Sequence, residues 1–184
     1  MPNQWVQTSR ERLAALNPAY SWQREFIPRD NIGIFGSTDF PQESYSAFTG
    51  AGTLTLNELP SEGCFAVTGE SGSGKSGAIW QETIEADRRG VAIRGYDLAV
   101  WTAQGMREQL ILHDPDLTDF LRSSGPRCLF FDSFDDSYAA KAVLPQALSM
   151  ALDDANWSGL RVLIGSQPGL PLDRLIGRTR SSLA

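Results

Sequence analysis

The chain has 184 residues, of which 41% are hydrophobic and 21% charged, and it carries a net charge of −6. Those values fit one soluble globular domain with a lead-in segment. The acidic balance argues against non-specific nucleic-acid binding, which needs a basic surface. No apolar stretch is long enough to span a bilayer, and residues 1–10 lack the apolar centre of a signal peptide, so no membrane association and a cytoplasmic location are expected.

Residues 1–50 are polar and irregular and are set apart as an N-terminal lead-in to a core over 51–184. Within and just after the lead-in, 4–16 reads as a short helix, 31–52 as loop, and the alternating residues 53–56 as a short strand. From residue 64 the pattern becomes regular. The apolar run 64–68 predicts a strand buried on both faces. A helix follows over 76–89, with Gly90 at its stop position. Next come a strand over 91–96, a helix over 102–112 and a short helix over 116–123. The apolar run 128–132 predicts a strand ending in an acid. A helix is expected over 138–154, in which Pro145 marks a kink or the true start. A fourth apolar strand covers 160–164, and Gly165 with Pro168 and Gly169 reads as a turn. Strands alternating with helices predict an α/β fold with a mostly parallel sheet and helices on both faces, and the G-x-x-x-x-G-K-[ST] run over 69–76, between strand 64–68 and helix 76–89, makes the expected fold a three-layer P-loop NTPase core. Ligands of such sheets bind at the carboxyl ends of the strands.

The chemistry is concentrated at those ends. Gly69, Glu70, Ser71, Gly72, Ser73, Gly74, Lys75 and Ser76 fit G-x-x-x-x-G-K-[ST], a phosphate-binding loop between a strand and a helix. Glycines let the backbone aim successive N–H groups at a phosphate, and the helix dipole faces the same anion. Lys75 supplies a mobile charge for the β- and γ-phosphates, and the Ser76 hydroxyl can ligate Mg²⁺. Asp132, at a buried strand end, needs a compensating cation or hydrogen bonds, and in this setting the cation is Mg²⁺. Asp135 or Asp136 is placed to orient or deprotonate the attacking water; their bland alternative is a turn whose acids suit the dipole of the next helix. Ser166 and Gln167 end the next strand, where a polar side chain reaches the γ-phosphate or the water, unless they only build a turn. The cofactors implied are ATP (or GTP) and Mg²⁺.

Other residues read as structure. Cys64 and Cys128 fall in buried strands as small core residues in a reducing compartment; whether they face each other is left open, and no disulfide is implied. His113 sits in a polar stretch without metal-ligand spacing. Trp80 and Trp101 suit packing more than base stacking. Arg174, Arg178 and Arg180 form a solvated terminal face, or the lid of a small-molecule kinase.

These motifs together, the loop 69–76, then Phe130-Phe131-Asp132-Ser133-Phe134-Asp135-Asp136, then Leu163-Ile164-Gly165-Ser166-Gln167-Pro168, resemble the NACHT branch of the STAND signalling NTPases. That branch shows D-G-x-D-E at the acidic strand end and T-S-R-P at the following one. Asp132, Asp135 and Asp136 match the acids, with Ser133 at the glycine, and 54–59 resembles the lead-in to the loop. The resemblance implies a nucleotide-dependent signalling or defence switch. Gln167 stands where the family has an arginine that senses the γ-phosphate; its neutral side chain implies slow or impaired hydrolysis. Asp136 is one methylene shorter than the family's glutamate. The family continues with a further strand, a helical lid and a winged helix, which 170–184 do not supply. A truncated member, or a minimal one completed by a protein partner or self-association, is therefore expected. The rival readings are a small-molecule kinase or phosphotransferase and a degenerate nucleotide-binding module.

Overall fold

A computed structural model describes residues 3–16, 55–100, 115–134 and 152–167. The expected elements over 102–112 and 31–52, most of the helix expected over 138–154, and Trp101, His113, Arg174, Arg178 and Arg180 lie outside them. The described elements are helix α1 (Gln4–Ala15), strand β1 (Gly63–Thr68), helix α2 (Lys75–Arg88), strand β2 (Ala92–Asp97), helix α3 (Pro115–Arg122), strand β3 (Arg127–Asp132) and strand β4 (Leu160–Ser166). The strands form one sheet in the order β1-β4-β3-β2, parallel throughout. β4, the last of the described strands in sequence, slots between the strand that leads to the glycine loop and the strand that ends in Asp132.

The central position of β3 and β4 follows from their composition. Every residue of both strands is buried, as continuous apolar runs require when helices cover both faces. Adjacent residues serve opposite layers. Phe130 packs with α1 and α2 through Trp5, Val6, Ala78 and Ile79, whereas Phe131 packs with α3 through Leu117 and Leu121. Both rings are fully buried, each contributing about 1.5–3 kcal/mol.

The placement of Cys64 and Cys128 answers the question that their sequence positions leave open. Both are buried and free, but they lie in opposite layers, Cys64 on the α3 side and Cys128 on the α1–α2 side, so they do not face each other. Burial pushes the Cys64 thiol up to about 12, which keeps it protonated and inert. One correction concerns the strand expected over 53–56. Leu56 instead opens a 3₁₀ turn (Leu56–Glu58), because the Glu58 carboxylate accepts from Thr55 N at 2.7 Å and Thr55 Oγ1 at 2.6 Å; residues 53 and 54 lie outside the described residues. Another is that Gly165 belongs to β4 and not to a turn, so the strand runs two residues further than its apolar stretch.

Helix α1 is bound to the core along β2. Its N-cap Asn3 accepts from Trp5 N at 3.0 Å and donates to the Ile93 carbonyl at 2.5 Å. The Trp5 indole N–H donates to Thr83 Oγ1 at 3.0 Å, and the ring lies so close over Gly95 that a Cβ there would come within 2.3 Å of it. Gly95→Ala is therefore expected to lift Trp5 off the sheet and cost about 2 kcal/mol. Denaturation followed by tryptophan emission checks this, with a red-shifted native spectrum as the accompanying sign.

Two buried arginines hold the opposite, amino-terminal end of the sheet. Arg161 pairs with buried Glu82 and donates to the Leu56 carbonyl at 3.1 Å, while Arg89 donates to the same Glu82 carboxylate at 2.7 Å. Among the described residues Arg127 has only neutral acceptors: it donates to the carbonyls of Phe120, Leu121, Gly125, Asn156 and Ser158 at 2.6–3.1 Å.

Candidate functional site

β1 delivers the chain to the glycine loop, and α2 begins at its far end. Gly72 and Gly74 have φ of 77° and 88°, the left-handed region that side chains disfavour, and Gly74 is the N-cap of α2. Gly69 packs closely on the loop: a Cβ there would lie 2.6 Å from Ser73 Oγ, so that hydroxyl would have to move. The loop closes on itself through Ser73 N donating to the Glu70 carbonyl at 3.1 Å, and it joins the sheet through Gly69 N donating to the Ser166 carbonyl at 3.3 Å. The Lys75 ammonium folds back over the loop and donates to the carbonyls of Gly69 at 2.7 Å and Glu70 at 2.9 Å. Glu70, Ser71, Gly72 and Ser73 are exposed, so the crest of the loop faces solvent.

From the other side β3 brings Asp132, 2% exposed. Its Oδ1 accepts from Ser76 Oγ at 2.9 Å and from Ser133 N at 2.9 Å. Ser133 has a φ of 59°, left-handed for a residue with a side chain, so the chain turns sharply just past the acid. Strained positions of this kind gather at functional sites. The two oxygens, Ser76 Oγ and Asp132 Oδ1, converge from the start of α2 and the end of β3. As a hard oxygen pair they fit Mg²⁺.

Burial is the main reason that the Asp132 carboxyl sits above the ordinary aspartate range, and the charge of Asp97 adds to it. The hydrogen bonds from Ser76 and Ser133 and the charge of Arg12 pull the other way. A raised carboxyl favours the protonated folded state, so stability falls as pH rises from the unfolded aspartate range towards the higher range in which the folded group titrates, and the loss is complete above it. Asp132→Asn is thus expected to stabilise the fold near neutral pH, with a chelator present. The gain shrinks as pH falls, since the native acid then becomes neutral too. Denaturation at about pH 7 and about pH 4 separates this from a pH-independent packing effect.

The structure brings together the eight loop residues, Asp132 and the end of β4. Ser166 is fully buried and its hydroxyl donates to the Gln167 carbonyl at 3.2 Å, whereas Gln167 itself is exposed. Asp135 and Asp136 lie outside the described residues. Among the described residues, no group of three or more His, Cys, Asp or Glu is placed to hold a metal ion, and no helix is long and apolar enough to cross a membrane.

Sequence reasoning missed Asp97. It ends β2 directly opposite Asp132 in the parallel register. Its Oδ1 accepts from Ala99 N at 3.1 Å, and its Oδ2 pairs with Arg12 Nη2 at 2.7 Å. Only the pairing of β2 with β3 reveals this neighbour, because the two acids are 35 positions apart in the chain. No protein-family model matches the chain, and no curated protein matches it. The functional reading therefore rests on these residues alone.

Proposed function

We propose that the chain is a P-loop NTPase domain that binds Mg-ATP (or Mg-GTP) and acts as a nucleotide-dependent signalling or defence switch with slow or impaired hydrolysis. One observation carries the reading: the Ser76 hydroxyl, next to the loop lysine at the start of α2, is 2.9 Å from the carboxylate of Asp132 at the end of β3. A glycine-serine loop with an incidental lysine gives no reason for a buried acid to be aimed at its first helical serine.

In this reading the N–H groups of 70–76 and the dipole of α2 take the phosphates. Lys75 exchanges its two carbonyl partners for phosphate oxygens. Ser76 and Asp132 would hold Mg²⁺, which would supply positive charge against the phosphates. Ser166, between loop and acid, orients the end of β4. Asp135 or Asp136 aligns the attacking water. Gln167 offers the γ-phosphate a neutral dipole where an arginine would offer a charge, which supports slow turnover.

Calorimetric titration of the whole chain with ATP tests this, once with Mg²⁺ and once with EDTA. Saturable binding that weakens in EDTA is expected. A folded chain that takes up no nucleotide in either buffer would sink the reading. Competition by GTP then decides the base, and phosphate release over hours decides the turnover.

A further inference from the structure

Arg12, near the carboxyl end of α1, lies at the nucleotide end of the sheet. Helix α1 runs along β2, from the bond of Asn3 to the Ile93 carbonyl to the pairing of Arg12 with Asp97. The Arg12 guanidinium also lies over the Trp80 ring, 5.3 Å from its centroid, so it is clamped between α2 and β2. The ion pair is not an ordinary surface contact: the side chains of Arg12 and Asp97 are 33% and 13% exposed. An exposed pair contributes little and couples to little. This one is held by a ring on one side and a strand end on the other.

Its location gives it a consequence. Asp97 is the direct neighbour of Asp132, and the charges of Asp97 and Arg12 act on Asp132 with opposite sign. We propose that Arg12 is a positioning residue that couples docking of helix α1 to cation and nucleotide binding through Asp97. The proposal rests on the reading of Ser76 and Asp132 as cation ligands.

The sign follows from Coulomb's law. A divalent cation held by Ser76 and Asp132 attracts Asp97 and repels Arg12. Cation binding therefore weakens the Arg12–Asp97 pair, and by linkage a docked Arg12 lowers the affinity of the site to the same degree. The amino end of α1 is pinned separately by Asn3 and Trp5, out of reach of that repulsion, and the Arg10–Asp87 pair is largely exposed. The carboxyl end of α1 is thus the part whose attachment responds to the nucleotide site.

Two variants test the coupling in the full chain. Arg12→Met keeps a long stem over Trp80 and removes the charge; Asp97→Asn removes the negative neighbour of Asp132. The gain in ATP affinity on going from EDTA to Mg²⁺ isolates the cation from the anionic phosphates, and it is expected to be roughly fivefold larger in Arg12→Met than in the native chain and smaller in Asp97→Asn. Hydrogen exchange supplies a readout that a merely structural arginine would not move. In the native chain, amides of 10–16 are expected to exchange faster with Mg-ATP than with ATP in EDTA, whereas those of 4–8 are not. In Arg12→Met the rates over 10–16 are expected to be the same in both. If the native chain binds Mg-ATP but the Mg²⁺-dependent gain in Arg12→Met matches it within twofold and α1 exchange is indifferent to Mg²⁺, the coupling is wrong and the site reading stands. If the folded native chain binds neither Mg-ATP nor Mn²⁺ alone, both fall together.

Discussion

Lys75→Ala is expected to weaken Mg-ATP binding at least about a hundredfold, a loss of about 3 kcal/mol, while leaving the fold intact. The two halves of that expectation have separate causes. Among the described residues the ammonium donates only to the Gly69 and Glu70 carbonyls of its own loop, so its removal frees partners beside the exposed crest and orphans no core group there. Alanine is also the better helix former at the first turn of α2. Binding loses the one mobile cation that the described loop carries, and charge-assisted bonds to phosphate are about twice as strong as neutral ones. The loop N–H groups and the helix dipole remain, so some residual affinity is expected. Calorimetry gives the first half and denaturation the second. Affinity within threefold of native would mean that the loop is not a phosphate site; a large stability loss would mean that Lys75 is structural.

The strand ends are legible in the sequence because each apolar run is short and stops at a polar residue: Thr68 before the loop, Asp132 after the apolar part of β3, Ser166 at the end of β4. Helices α1, α2 and α3 are also legible to within about two residues, the ordinary uncertainty of helix ends. What periodicity does not encode is pairing. The order β1-β4-β3-β2 puts Asp97 beside Asp132 and separates Cys64 from Cys128 by the thickness of the sheet, and neither follows from spacing along the chain. Docking of α1 is hidden for a related reason. Its buried face is only Trp5, Val6 and Ser9, too few to produce a clear stripe, and its fit depends on the absence of a side chain at Gly95. Leu56 reads as strand only because alternation over four residues is a weaker determinant than a single capping carboxylate, that of Glu58, close by. Arg127 and Arg161 carry the same lesson: neither the carbonyls around the one nor the carboxylate beside the other follows from spacing along the chain.

Arg127→Leu is expected to cost about 3–5 kcal/mol and to be the most damaging substitution at the amino end of the sheet. The native side chain is 1% exposed, and burial pulls its guanidinium below the usual arginine range, yet it has five backbone carbonyls around it. Phe120 and Leu121 supply the last carbonyls of α3, where the helix dipole is negative; Asn156 and Ser158 belong to the turn that leads into β4. One cation thus ties a helix end, the start of β3 and the approach to β4 into a unit, with a positive charge balanced by oriented dipoles. Leucine fills part of the volume but leaves those carbonyls desolvated, and each unsatisfied group costs about 1–3 kcal/mol. The comparison that isolates the cause is Arg122, five residues earlier. It pairs with Asp154 at 3.2 Å, but the two side chains are 59% and 77% exposed, so Arg122→Ala is expected to change stability by less than about 1 kcal/mol. Equilibrium denaturation of both variants decides the matter. If the two cost the same, the carbonyl cluster around Arg127 is no stronger than a surface contact, and the amino end of the sheet is held by the apolar layers and by the Arg161–Glu82 pair instead.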